Sequence, residues 1–402
     1  MSGKDVAQPR GRFALVNGRV VLPYEVATGR AVVGEGTKII GIAWTGDLGS
    51  DVETIDVGGR LITPGLIDIH QHGAMGHTFN EPTAEAFTVI TAENVRRGVT
   101  SLLATIATAP IPDLVRSLEF CREWMQKPAA GAQVLGAHQE GPYFNPTQRG
   151  AQDPQNIRTT PDDGTADILL AHHDIIRIMT YAPELPGALA LTARLVQHGI
   201  VPAAGHSAAR DEHILAAMAW GLRHVIHLWS AQSTTIREGP WRKPGLLEAA
   251  LAFDGLTGEI IADNKHLPPT LMKLAYKCLG PDRLCVVSDA VSGAGLPEGA
   301  RFRMGRMEYE VREGVGMLLD HSAFAGSTTL LNQMIPILTE KVGIPLPEAV
   351  RMASLTPARV IGVEDRKGSL EAGKDADIAV FDDDFMAWRT MIGGQWAYAR
   401  AP

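Results

Sequence analysis

Six residues able to hold a metal ion or move a proton sit at the ends of short apolar runs in this chain. His70 and His72 close "GLIDIHQH", and Glu140 closes "QVLGAHQE". His206 lies in "GIVPAAGHS", His227 in "HVIHLWS", and Asp289 in "RLCVVSDA". Imidazole nitrogens and carboxylate oxygens are the donor set of zinc, iron(II), manganese or cobalt. No cysteine stands at these positions, so a thiolate site is not indicated. His70 and His72 are two apart, which on a strand is one face, so both can aim at one point. Asp263 ends a further run, "GEIIAD", and leads to His266. Each residue alone has an ordinary reading: a satisfied polar histidine, a turn acid at Glu140, a helix cap at Asp289. Their recurrence at matching ends argues for one shared site.

Something must bring those ends together. Eight apolar runs alternate with helical stretches such as Glu85–Arg97 and Gly187–His198. That alternation predicts a parallel sheet. Eight units predict an α/β fold of the (β/α)8 TIM-barrel type, whose usual size is ~250 residues and whose strand ends converge on one catalytic face. A doubly wound open sheet is the rival, weakened because no Gly-x-Gly-x-x-Gly turn follows an early strand. The first sixty residues and the tail differ from this middle. "FALVNGRVVLP" and "RAVVGEGTKIIGIAW" are β-branched runs split by Asn-Gly and Gly-Glu-Gly, which is hairpin punctuation. Both ends are expected to build one small β-sandwich domain. The expected division is residues 1–63 and 363–402 for that domain and residues 64–362 for the catalytic barrel.

Composition narrows the function classes. The 402 residues are 45% hydrophobic and 20% charged, with 37 basic against 45 acidic side chains and a net charge of −8. No Lys/Arg-rich run invites a nucleic acid. Cys121, Cys278 and Cys285 are too few and scattered for a disulfide framework and fit a reducing compartment. The polar start "MSGKDVAQPRGR" lacks a signal core, and no run of about 18 apolar residues could span a membrane. The expectation is a cytoplasmic protein with a small-molecule substrate.

"PGLIDIHQHG", "GAHQEGPYFN", "AGHSAA", "HLWSAQ", "IIADNKHLPP", "VVSDAVSGAG", "AFAGST" and "LTPARVIGVEDRKGSLEAGKDADIAVFD" resemble the amidohydrolase superfamily. More narrowly, they are similar, in order and over nearly the whole chain, to N-acetylglucosamine-6-phosphate deacetylases. That resemblance implies a metal-dependent deacetylase, a metallo-barrel and a homodimer. It implies that Glu140, His206 and His227 hold the principal ion. His70 and His72 match the His-x-His of members able to hold a second ion, so one or two divalent ions are expected. Asp289 would face the metal and act as the acid/base group.

The residues expected around the substrate depart from the family pattern. Gln152 stands where a histidine is usual, and an amide cannot carry charge. Ser230, Ala231 and Gln232 replace Asn-Ala-Met. Asp263-Asn264-Lys265-His266 keeps the family's histidine. Arg242, or alternatively Arg237, matches the arginine that reaches a neighbouring subunit's phosphate, a role suited to a bidentate donor. Ala325, Gly326 and Ser327 keep the loop expected near a small acyl group. Hydrolysis of N-acetylglucosamine-6-phosphate, or of a related N-acetyl amino sugar phosphate, is the leading expectation. The alternatives are another small N-acyl or cyclic amide without a phosphate, and a non-enzymatic scaffold.

Overall fold

The computed structural model describes residues 7–127 and 131–401. Residues 1–6, the first half of the polar start noted above, lie outside that range.

Eight parallel strands form the central sheet: Leu66–Asp68, Val99–Ile106, Gln133–Glu140, Ile176–Tyr181, Val201–Ala204, His224–Val225, Thr257–Ile261 and Leu284–Val287. All eight expected runs are these strands, in order. Val99–Ile106 is buried at every position, as a strand covered on both faces by a parallel-barrel architecture must be. Helices pack outside. The first runs Ala84–Val95, where Thr83 caps it by accepting from the Ala86 amide and Gly98, at φ 77°, turns the chain into the next strand. Another runs Ala188–Gln197. Both lie within two residues of the expected bounds.

The first and eighth strands share no regular ladder. Side chain and loop close the barrel there instead. Asp68 Oδ1 accepts from the Ser288 amide at 3.2 Å, Asp289 donates its amide to the His70 carbonyl at 2.9 Å, and His72 donates to Ala290 at 2.8 Å. Burial pushes the Asp68 carboxyl up to about 7, against the pull of its Ser288 and His70 hydrogen bonds. The seam that closes the barrel is therefore the stretch carrying His70, His72 and Asp289.

Both chain ends do build a β-sandwich. One sheet orders Lys38–Trp44, Arg30–Glu35, Arg12–Val16 and Glu53–Asp56. The other interleaves Ile378–Phe381, Ala387–Ile392 and Gln395–Ala399 with Leu61–Pro64, Arg19–Val21 and Val26–Ala27. Phe13, Leu15 and Val32 from the first meet Ile62, Val380 and Trp396 from the second in one core. Leu61–Pro64 runs through Gly65 straight into the first barrel strand. A β-carbon on Gly65 would lie 2.1 Å from Thr100 Oγ1, so only glycine lets the chain cross there.

Two features were not anticipated. A four-stranded antiparallel meander, Arg301–Met304, Met307–Arg312, Val315–Leu318 and Phe324–Ser327, follows the eighth strand and packs Phe302, Tyr309 and Val311 against Val291. An exposed hairpin, Ile236–Glu238 with Trp241–Lys243, follows the sixth. Among the described residues, no helix is long and apolar enough to cross a membrane.

Candidate active site

The strand ends open into a cavity of about 600 Å³ whose floor carries His72, Glu140, His206, His227 and Asp289. His70 lies directly beneath and is fully buried. Glu140 is the last residue of the third strand. His206, His227 and Asp289 each stand two residues beyond a strand, at φ 47°, 21° and 45°. Non-glycine residues avoid positive φ, and such strain persists where surrounding structure holds it, often at functional sites. Here it turns three side chains inward from rigid strand ends.

The donor atoms converge. His206 Nε2 and His227 Nε2 lie 3.2 and 3.3 Å from Glu140 Oε1. His72 Nε2 lies 3.4 Å from Glu140 Oε2 and 3.3 Å from Asp289 Oδ1. His70 Nε2 is 3.6 Å from both Glu140 Oε1 and Asp289 Oδ1. His70, His72 and Asp289 form one tight group, and His70, Glu140 and His227 another. Burial pushes the Glu140 carboxyl up, but the imidazoles of His206, His227, His70 and His72 around it hold it well below the usual carboxylate range. Asp289 shows the same balance, lowered by His70 and His72 against burial.

A cation fits this arrangement on an observation independent of residue type. His70 Nε2 is completely buried and has no hydrogen-bond partner, although two carboxylates face it. Its other nitrogen, Nδ1, donates to Glu259 at 2.8 Å, which leaves Nε2 as a lone pair aimed between Glu140 and Asp289. His206 is set the same way, Nδ1 donating to the Gln148 carbonyl at 3.0 Å. Buried polar atoms are rarely left unsatisfied without a reason. Orienting a ligand histidine through its far nitrogen is the usual arrangement around a bound metal.

The amidohydrolase family matches residues 61–397. The chain belongs to the amidohydrolase family. N-acetylglucosamine-6-phosphate deacetylase of Haemophilus influenzae is 35% identical over 391 residues, 96% of this chain and 99% of that relative. N-acetylgalactosamine-6-phosphate deacetylase of Escherichia coli O157:H7 is 31% identical over 338 residues, 84% of this chain and 88% of that relative. The crystal structure of N-acetylglucosamine-6-phosphate deacetylase from Pasteurella multocida superposes with a TM-score of 0.90 at 30% identity, covering 97% of this chain and all of that one. This amidohydrolase is thus a hydrolytic enzyme.

The remaining expected residues are spread more widely. Gln152, Ser230, Ala231, His266 and Ala325 line the cavity of this amidohydrolase. Gln152 also reaches the floor: its Nε2 donates to Glu140 Oε2 at 2.5 Å while its Oε1 accepts from the Thr108 amide. Ser327 instead faces away and is buried, donating to Asp263 Oδ2 at 2.8 Å. Asp263 does not join the floor cluster. It accepts from His266 Nδ1 at 2.7 Å and from the amides of Lys265 and His266. Burial pushes its carboxyl up, yet those bonds, His266 foremost, hold it low. Arg237 and Arg242 lie on the exposed hairpin, donating to Gly239 and Pro240 carbonyls, outside their own chain's cavity. Gln232 turns inward, donating to the Ile226 carbonyl.

The sequence reading missed Glu259, His224, His138 and Arg306. His138 packs edge-on against His70 at 4.5 Å and is pushed down to about 3 by burial, so it stays neutral. Glu259 did carry a signal: unlike Asp263, which ends the run "GEIIAD", it is a charge within the strand-forming part of that run. Arg306 lies in the turn between the first two meander strands, where no apolar run or motif marks it.

Proposed function

We propose that this chain hydrolyses the acetamide of N-acetylglucosamine-6-phosphate, giving the amino sugar phosphate and acetate. The observation that carries the reading is the floor cluster of Glu140, His206, His227, His70, His72 and Asp289, joined to 35% identity over 99% of a deacetylase of that substrate. The cavity volume suits a monosaccharide-sized ligand.

Glu140, His206 and His227 would hold a principal divalent ion, and His70, His72 and Asp289 a second one; zinc, iron, manganese and cobalt all suit these donors. Such ions supply Lewis-acid polarisation of the amide carbonyl and acidify water. Asp289 takes the proton from the attacking water and returns it to the departing nitrogen, because an amine leaves only when protonated. Asp263 fixes His266 by its Nδ1, which leaves Nε2 to donate to or accept from a substrate oxygen. Arg242, and Arg237 beside it, reach a phosphate only in a neighbouring subunit's cavity, so this role requires at least a dimer. Three free cysteines fit a cytoplasmic setting.

The E. coli relative raises the corresponding galactosamine epimer as a second reading. An amine-release assay decides. It crosses N-acetylglucosamine and N-acetylgalactosamine, each with and without a 6-phosphate, against N-acyl amino acids. The highest kcat/KM is expected on N-acetylglucosamine-6-phosphate. Equal rates without the phosphate, or faster release from N-acyl amino acids, overturn the reading.

A further inference from the structure

Glu259 sits on the seventh barrel strand with no exposure to solvent. A buried carboxylate is costly unless its oxygens are occupied. Here both are. Oε2 accepts from His70 Nδ1 at 2.8 Å and from the His227 amide at 3.3 Å, and Oε1 accepts from His224 Nε2 at 2.9 Å. His224 is held in turn by Thr257 Oγ1 at 2.7 Å. A core cluster of this kind adds little to stability compared with well-packed apolar residues of similar volume. Its direction is more informative than its energy. The chain Thr257–His224–Glu259–His70 ends at one atom, His70 Nε2, which is buried and unpartnered. That atom, His72 Nε2, Glu140 and Asp289 surround one space, with separations of 3.3 to 3.6 Å.

The two halves of the floor are supported differently. His206 is oriented by a backbone carbonyl. His227 Nδ1 has no side-chain partner. Only His70 rests on a buried carboxylate.

We infer that Glu259 is a positioning residue for a second divalent ion, holding His70 with its Nδ1 proton inward and its Nε2 lone pair toward Glu140, His72 and Asp289. The inference rests on the proposed metal-dependent reading and goes beyond it by assigning a cause to the second site's affinity. Removing such a supporting partner costs about 10–100-fold in metal affinity.

The test is a zinc titration of the full-length chain, first stripped with chelator, against a competing chromophoric chelator, with bound zinc counted by elemental analysis. Wild type is expected to bind two ions in separable steps. Glu259→Gln should keep the tighter step unchanged and weaken the other about 10–100-fold, with the metal-free melting temperature reported alongside. His70→Asn should remove the same step, and the double variant should bind no more weakly than His70→Asn alone. Should Glu259→Gln fail to fold, His224→Gln, which keeps the carboxylate and removes its far support, is expected to weaken the same step by a smaller factor. Equal weakening of both steps, or two unchanged steps, would make Glu259 merely structural and overturn the inference. A wild-type chain binding one ion overturns it while leaving the deacetylase reading intact. A wild-type chain binding none overturns both.

Discussion

The floor of the cavity and its rim are built by different means. Glu140 ends a barrel strand, His70, His206, His227 and Asp289 stand two residues past one and His72 four, all of them buried. The rim comes from a short 3-10 turn, Pro146–Gln148, with Gln152 just beyond it, from the loop after the sixth strand with Ser230 and Ala231, and from the meander with Arg306 and Ala325. Floor geometry needs accuracy, because a misplaced donor or base loses its effect within an ångström. Rim residues need only complement a ligand, and loops tolerate change. That contrast accounts for a floor with the residue types expected of an amide-hydrolysing site beside a rim where Gln152 and Ser230 depart from what the resemblance leads one to expect.

The largest expected effect lies on the floor. Asp289→Asn preserves shape and removes the proton acceptor. Turnover should fall about 10²–10⁴-fold with KM changed little, as read by acetate release. A near-normal kcat would remove Asp289 from the proton path and break the claim that the floor carries the chemistry.

A smaller effect is expected where floor and rim are joined. Ser327 does not face the ligand; it supports Asp263, which fixes His266. A hydrogen bond to a charged group contributes ~1.5–3 kcal/mol. Asp263 keeps three other donors, so Ser327→Ala should cost about tenfold in kcat/KM, toward the weak end of that range. Asp263→Asn should cost more, and adding Ser327→Ala to it should cost little further. Additive losses would mean that Ser327 meets the substrate directly, as the resemblance suggested.

The same contrast governs what could be read from sequence. Parallel strands covered on both faces are continuous apolar runs, so all eight were legible, and the polar residues ending five of them marked the floor. The β-sandwich was legible from Asn17-Gly18 and Gly34-Glu35-Gly36, since turns of that kind demand particular residues. The meander carried similar punctuation at Met304-Gly305-Arg306 and Glu313-Gly314. Its first two strands are half exposed and rich in arginine and glutamate, and its last two are only four residues long, so no apolar run announced them. Glu259 was visible as a misplaced charge, but its partner His70 is 189 positions away, and no local pattern joins them. Ser327 was assigned by likeness of its loop, and loop likeness fixes neighbourhood rather than side-chain direction.

The smallest expected effect tests the rim by itself. Among the described residues, Arg306 is the one arginine or lysine lining the cavity. It is mostly exposed and pairs with Asp153 Oδ2 at 3.0 Å and Gln155 Oε1 at 2.6 Å. An exposed ion pair is worth ~0–1 kcal/mol, so the guanidinium is free to exchange Asp153 for an anionic group on a ligand at little cost. Arg306→Gln should therefore raise KM for a 6-phosphorylated substrate by about fivefold, the equivalent of ~1 kcal/mol. It should leave the unphosphorylated sugar unaffected and kcat unchanged. Arg242→Gln, on the outer hairpin, supplies the contrast. If only that variant loses the phosphate preference, the anion is read across a subunit boundary and the chain's own rim contributes shape alone. If both lose it, the rim of one active site is assembled from two chains while its floor belongs entirely to one.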